Sequence, residues 1–269
     1  MPQQSSRSTT AARRRMSPDE GRVRERGDIY FAYRPKIERE VARSLDDLQR
    51  LYMILSPRGK ASYRLIVIPS KRLPSTDRGG DRKAWGFVDK VSSRADEVED
   101  ELDPKSYLTK TRGERRQPPA RPAGEGVYSI VLHRGHSHLA YVLELPRELG
   151  EVQRALAIAD EASYIAAVKN PRMPPAPDAG LDEKRRARFP DSLQRRFRGR
   201  RFIPLDPPDF LDHEGAEILL VGARRGVVED LDLELIREEE TEATAEIFED
   251  LHMERSVHPV EPLLKGQWA

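Results

Sequence analysis

The chain has 269 residues, of which 37% are hydrophobic and 35% are charged, and it contains no cysteine. The lack of cysteine excludes disulfide frameworks, thiolate zinc sites and cysteine nucleophiles, so a metal site would use His, Asp or Glu. No apolar run approaches the roughly 18 residues that span a bilayer, and the amino-terminal segment lacks the apolar centre of a secretory signal. These features predict a cytoplasmic protein.

Residues 1–26 are polar and basic, without hydrophobic periodicity. Because such a segment buries too little apolar surface to offset its ordering entropy, it is predicted to be a disordered leader. Its cluster Arg13-Arg14-Arg15 could contact nucleic acid or could be a solvated tail.

Residues 27–108 are predicted to form a first β-rich unit. A strand is expected over residues 28–33, a short helix within 37–51, and a hairpin from the apolar runs at 52–55 and 63–69. Another strand is expected at 85–91, followed by a helix that begins near Ser93 and ends before Pro104.

Residues 109–125 are rich in Pro, Gly and Arg, which predicts an irregular linker. A second β-rich unit is expected over 126–226, with a hairpin around Arg134-Gly135, a strand at 163–169 and a basic helix that ends near Arg198. Residues 227–269 are predicted to hold an acidic helix and an apolar docking tail.

The predicted fold class is therefore α+β and β-rich, with mostly antiparallel sheets, a few peripheral helices and the disordered leader. Three short blocks recur in the same order on both sides of residues 109–125, and this order raises the possibility of two similar tandem β units. Strands bounded by proline resemble one another in any case, so the recurrence could also be chance.

Three of the six histidines fall at one predicted hairpin, at His133, His136 and His138. On a regular strand His136 and His138 share a face with Glu144. Two imidazoles and a carboxylate would suit Fe, Mn, Ni or Zn. The pattern resembles the metal motif of cupins, a His-x-His pair followed by a glutamate within a β-barrel, although here the glutamate follows at a longer spacing. The alternative is an exposed hairpin tip whose histidines are solvated or hydrogen-bonded locally.

Basic residues are concentrated between residues 184 and 201, with Phe189, Phe197 and Phe202 interleaved. Arginine neutralises phosphates and stacks on bases, whereas the phenylalanines are expected to form the buried face of a helix. Carboxylates between Glu229 and Glu242 could pair with these arginines instead. The candidate partner-binding residues, for protein or nucleic acid, are Arg195, Arg196, Arg198, Arg200 and Arg201.

Several common enzyme signatures are missing from the sequence, including the phosphate-binding loop, the dinucleotide-binding glycine motif and the nucleophile elbow. The strings GDIYFAYRPK, WGFVDKV and HSHLAYVLELP resemble those of a family of conserved hypothetical proteins, and this resemblance implies no activity. Two functions therefore remain open. The first is a non-enzymatic binding or scaffold protein that uses its arginine-rich loops, and the second is a metal-dependent enzyme or sensor that uses the histidines.

Overall fold

The computed structural model describes residues 22–76, 82–111, 113–175, 180–223 and 245–269. Eight of its strands form a closed antiparallel barrel, in which neighbours follow the order β1, β2, β3, β4, β11, β9, β8 and β7, and β7 pairs with β1 again. Strands β5 and β6 form a separate hairpin, and β10 extends the edge of β9 beyond β8. The expected β-rich, mostly antiparallel fold is confirmed, and the closed barrel is more specific than that expectation.

The strands are β1 (Arg22–Pro35), β2 (Leu48–Pro57), β3 (Tyr63–Ile68), β4 (Lys83–Ser92), β5 (Lys105–Thr109), β6 (Gly113–Gln117), β7 (Arg121–His133), β8 (His136–Leu145), β9 (Glu161–Lys169), β10 (Phe202–Pro204) and β11 (Glu217–Gly222). The short α-helices are α1 (Asp96–Leu102), α2 (Glu151–Leu156), α3 (Asp191–Gln194), α4 (Glu246–Asp250) and α5 (Glu261–Lys265).

Side-chain alternation along β1 shows how the barrel is filled. Ile29, Phe31 and Tyr33 are fully buried in the main core cluster, which other strands fill in the same alternating way. Tyr30 and Ala32 point to the other face and join a second buried cluster that includes residues of α1, α4 and α5. The outer surface of β1 and its neighbours is therefore covered by the helices.

Arg34 holds α1 and the β5–β6 hairpin against the barrel. Its fully buried guanidinium donates to the Tyr52 hydroxyl at 3.2 Å and to the Asp103 carbonyl at 3.1 Å. It also donates to the carbonyls of Glu101 and Pro118. Since these carbonyls lie at the end of α1 and just after β6, one side chain joins three elements.

The predicted helix within 37–51 is wrong. The chain forms a single 3-10 turn at Leu45–Asp47 and then enters β2, where Leu51 lies opposite Tyr33 of β1. The three- and four-residue spacing of the apolar positions is typical of a helix, but pairing with β1 and burial in the barrel outweigh this local preference.

Residues 113–117 and 121–125, predicted as part of an irregular linker, form β6 and the start of β7. Pro122 is tolerated in β7 because it lies beside a bulge, where the pairing with β1 shifts register. Gly126 is required further along, since a Cβ there would lie 2.1 Å from the Val142 carbonyl oxygen. Proline and glycine therefore mark adjustments within a strand here.

The ends of the chain differ in part from the sequence-based expectations. Residues 22–26 of the predicted disordered leader begin β1, and residues 1–21 lie outside the described residues. Of the predicted acidic helix, α4 is described, whereas residues 224–244 are outside the described ranges. The docking tail forms the short helix α5, with Leu263 fully buried.

Within the described ranges, no helix combines the length and the apolar character needed to cross a membrane.

Candidate functional site

The arginine-rich region ends in a tight turn that leads into β10. Helix α3 continues into a 3-10 turn over Arg195–Phe197, and Arg198 and Gly199 then adopt positive φ angles of 46° and 75°. This left-handed pair reverses the chain toward β10. We call Arg195, Arg196, Arg198, Arg200 and Arg201 the arginine turn.

The backbone of the arginine turn is anchored to the barrel. Phe197 is buried and packs on Phe189 and Phe210, with ring centroids 6.0 and 5.5 Å away. Asn170, just after β9, accepts a hydrogen bond from Gln194 at 3.0 Å. Its own side chain donates to the Arg200 carbonyl at 3.1 Å, so the turn is held at both of its sides.

The arginine side chains of this turn point into solvent. Arg195, Arg196, Arg198 and Arg200 are exposed, and their side chains make no hydrogen bond or ion pair with the part of the chain that the structure describes. Arg201 is also exposed and donates to the carbonyls of Pro174 and Pro175 at 3.4 and 3.2 Å. Because guanidinium groups keep their proton in proteins, the turn carries a fixed positive charge.

The earlier part of the basic region lines a surface cleft of about 660 Å³. Lys184, Arg185 and Arg188 contribute side chains to it, and Arg185 lies 3.8 Å from Asp89. The floor includes Phe87 of β4. The cleft therefore joins the basic segment to the outer face of β4.

A row of aromatic rings continues from this cleft along β4. Trp85 and Phe87 are two residues apart on a strand, so they share its outer face, and their ring centroids are 6.3 Å apart. Phe202 of β10 lies 5.9 Å from Trp85, and the Arg201 guanidinium lies 5.9 Å from the Phe202 ring. Trp85 and Phe202 are half-buried, whereas Phe87 is buried. We call Trp85, Phe87 and Phe202 the aromatic row.

The three histidines lie at the β7–β8 hairpin, where His133 pairs with His136. The rings of His133 and His138 are 6.1 Å apart, and His138 Nδ1 lies 3.4 Å from the Ser163 hydroxyl. Burial, together with the charges of His133 and His136, lowers the pKa of His138 to about 4. His138 is therefore neutral at neutral pH.

Glu144 lies near the other end of β8, six residues from His138. At about 3.3 Å per residue this separation is roughly 20 Å, so these two side chains do not meet at one ion. Within the described residues, the acidic and histidine side chains whose ligand atoms come within 4.8 Å of one another in a group of three are Asp28, Glu246 and Asp250. Arg58 donates to Asp28 at 2.8 Å, and this contact offsets part of the negative charge of the group.

A buried charge network lies on the face of β3 that also carries Ile66 and Ile68. Arg64 is fully buried and donates to the two carboxylate oxygens of Glu25 at 2.6 and 3.0 Å and to Asp212 at 2.9 Å. The Tyr128 hydroxyl donates to Glu25 at 2.9 Å. Burial alone would lower the pKa of Arg64, but the hydrogen bond and the charge of Glu25 raise it above its usual value.

The sequence identified the basic residues of this region, but it did not predict that Trp85 lies close to them. Phe189 and Phe197 are buried, as expected, but the basic helix is only the four-residue α3: Phe189 precedes it and Phe197 lies in the 3-10 turn after it. Phe202, expected on the same buried face, lies in β10 and is half-buried. Trp85 and Phe87 were recognised as part of a strand, and their two-residue spacing was the available signal of a shared face. The carboxylates expected to pair with the arginines, Glu229 to Glu242, lie outside the described residues.

Comparison with protein-family models, with curated proteins and with solved structures finds no match to this chain.

Proposed function

We propose that this chain is a non-enzymatic binding or scaffold protein that holds an anionic macromolecule at its arginine turn. The single observation that carries the proposal is the exposure of Arg195, Arg196, Arg198 and Arg200 without a side-chain partner among the described residues. Four guanidinium groups within six residues repel one another, and a polyanion would relieve this repulsion.

Exposed arginines elsewhere on the surface support this reasoning by contrast. Arg39, Arg58 and Arg94 are each more than half exposed, and each pairs with an aspartate. Arg43 and Arg154 are also exposed and make no side-chain hydrogen bond or ion pair with the described residues, but they are far apart in the chain. The arginine turn differs because four such charges fall within six residues and remain available to another molecule.

The anchored backbone also favours binding. Buried Phe197 and the hydrogen bonds of Asn170 fix the turn before any partner arrives. A preorganised cationic surface loses less conformational entropy on association than a flexible tail does. The arginine turn is therefore a better candidate than a solvated basic segment of equal charge.

The test compares two quadruple variants for elution from heparin and for binding to a 20-base-pair DNA duplex, taken as generic polyanions. One variant changes Arg195, Arg196, Arg198 and Arg200 to alanine. The matched control changes Arg39, Arg58, Arg94 and Arg116 to alanine, which removes the same charge from the surface. We expect the first variant to elute at lower salt and to lose affinity for the duplex, with the slope of log affinity against log salt falling by about 0.9 per lost phosphate contact.

Equal losses in the two variants would indicate a net-charge effect and contradict a specific role for the turn. Failure of the unaltered protein to bind either polyanion at low salt would also overturn the proposal. Circular dichroism of both variants establishes that their barrels are folded.

A second candidate function is a metal-dependent enzyme or sensor that uses His133, His136 and His138. The observation in its favour is the 6.1 Å separation of the His133 and His138 rings at one hairpin. Elemental analysis of protein purified without a histidine tag tests it, before and after addition of Fe, Mn, Ni or Zn. Stoichiometric metal that is lost in a His133→Gln/His138→Gln variant would support this candidate, and absence of bound metal would contradict it.

A further inference from the structure

The aromatic row indicates which class of polyanion the surface would select. Trp85 and Phe202 are half-buried, so part of each ring faces solvent while the rest packs on its neighbours at 5.9 and 6.3 Å. Trp85 lies on the barrel strand β4, and Phe202 lies on β10, which pairs with the barrel strand β9, so both rings have a rigid base. Such rings offer flat surfaces on which planar groups can stack.

Cations lie at both ends of this row. Lys83 is exposed and shares the outer face of β4 with Trp85 and Phe87, because the three positions alternate along the strand. At the other side, the Arg201 guanidinium of the arginine turn lies 5.9 Å from the Phe202 ring, and the other arginines of the turn precede it directly in the chain. The row is thus flanked by groups that neutralise phosphates.

Two carboxylates on the outer face beside the row are paired with cations. Glu217 lies opposite Phe87 on β11, is buried, and lies 2.6 Å from Lys169. Asp89 follows Phe87 on the outer side of β4, and it lies 3.2 Å from Arg50 and 3.8 Å from Arg185. These two guanidinium groups offset its charge. The surface from Lys83 to the arginine turn is therefore positive beside the aromatic rings.

We propose that single-stranded nucleic acid binds along this surface, with bases stacked on Trp85 and Phe202 and with phosphates neutralised by Lys83, Arg201 and the rest of the arginine turn. Stacking on aromatic rings combined with a cationic track is the usual means of binding single strands without sequence preference. A duplex cannot use the rings in this way, because its base faces are already stacked on each other. The inference rests on the proposed function, since it names the partner of the same arginine turn.

The experiment uses the fluorescence of Trp85. The chain contains two tryptophans, Trp85 and Trp268, so a Trp268→Phe background leaves Trp85 as the single tryptophan reporter. A 15-nucleotide oligothymidylate, a 15-nucleotide oligouridylate, a duplex of equal length and heparin are titrated into this protein. We expect either single strand to quench Trp85, and we expect the duplex and heparin to bind without quenching it.

Variants separate stacking from charge. Trp85→Leu and Phe202→Leu keep an apolar side chain but remove the ring, and each should weaken binding of single strands by about 5- to 150-fold, the range that loss of one stacked base implies. Their elution from heparin should be unchanged. Tyr107→Leu removes an exposed ring from the β5–β6 hairpin and should leave all binding as it was. Melting curves identify any variant that fails to fold, and the second ring variant then supplies the test.

The two proposals fail in different ways. If the protein binds heparin and duplex through the arginine turn but single strands neither quench Trp85 nor depend on Trp85 and Phe202, the stacking inference is overturned and the binding function stands. An affinity for duplex equal to that for single strands would overturn it as well. If no polyanion binds at all, both proposals fall.

Discussion

Arg64 shows how a charged side chain can be buried on the inner side of a barrel strand. Its guanidinium is fully buried, yet it donates to both oxygens of Glu25 and to Asp212. Asp212 also accepts from Lys60, and Glu25 accepts from Tyr128. Removal of one member would leave the other charges partly buried without their partner, and the cost of desolvating them would no longer be offset.

Replacement of Arg64 by methionine should therefore lower the free energy of unfolding by about 3–5 kcal/mol, measured by urea denaturation at pH 7. The matched control is Arg94→Met, since the Arg94–Asp96 pair lies on the surface with side-chain exposures of 67% and 45%. This exposed pair should contribute little because water screens it. Similar losses in both variants would refute the view that burial makes the Arg64 network important. The double variant Glu25→Gln/Arg64→Met should recover part of the lost stability.

At the scale of elements, one side chain joins α1 and the end of the β5–β6 hairpin to the barrel. Arg34 donates to carbonyls of Glu101, Asp103 and Pro118, and it contacts the Tyr52 hydroxyl. Hairpins of two strands are marginally stable alone, so β5 and β6 need attachments such as this one and the hydrogen bonds between Glu38 and Arg116. The barrel itself is closed by strand pairing and does not need the contacts of Arg34.

An Arg34→Lys variant keeps the charge but cannot reproduce the planar arrangement of donors. We expect amide hydrogen exchange to become faster in α1 and in β5–β6, by about tenfold or more, while β8 and β9 keep their protection. Arg50→Lys is the control, because Arg50 is 40% exposed and pairs with Asp89 at the surface. Faster exchange throughout the barrel would show that Arg34 supports the whole fold rather than these two elements.

At the scale of the whole molecule, the closed barrel buries tyrosines whose ionisation it then opposes. Burial raises the pKa of Tyr141 to about 12, and burial also raises the pKa of Tyr33 to about 12. Burial is also the largest cause of the raised pKa values of Tyr128 and Tyr164. Unfolding exposes these phenols to water and returns their pKa values to about 10.

Stability should consequently fall as pH rises from about 10 to 12. In this range the unfolded chain has lost protons that the folded chain retains, so the free energy of unfolding decreases with pH. Tyr141→Phe should make the decrease smaller by on the order of 2 kcal/mol, measured by urea denaturation at several pH values. Tyr107→Phe, at a residue that is 39% exposed, should leave the slope unchanged. If the free energy of unfolding of Tyr141→Phe fell with pH as steeply as that of the unaltered protein, burial of Tyr141 would not be a cause of the decrease.

The sequence predicted a large part of the local structure. Alternating apolar residues identified the strands around Ile29, Leu65 and Tyr141, and Arg134-Gly135 was correctly placed at a hairpin turn. These features depend on neighbours in the chain, whose pattern reports which face of an element is buried. The basic residues of the arginine turn were likewise identified from their concentration in the sequence.

Closure of the barrel was decided by the tertiary structure. β11 pairs with β4 and β9, and β7 pairs with β1, and these contacts join residues that are 50 or more positions apart in the chain. Local periodicity shows that a strand has a buried face, but it contains no information on which strand lies beside it. The same reason explains the aromatic row. Nothing in the sequence near Trp85 or Phe202 indicates that the two rings meet. They meet because β10 pairs with β9, and β11 lies between β9 and β4 in the sheet.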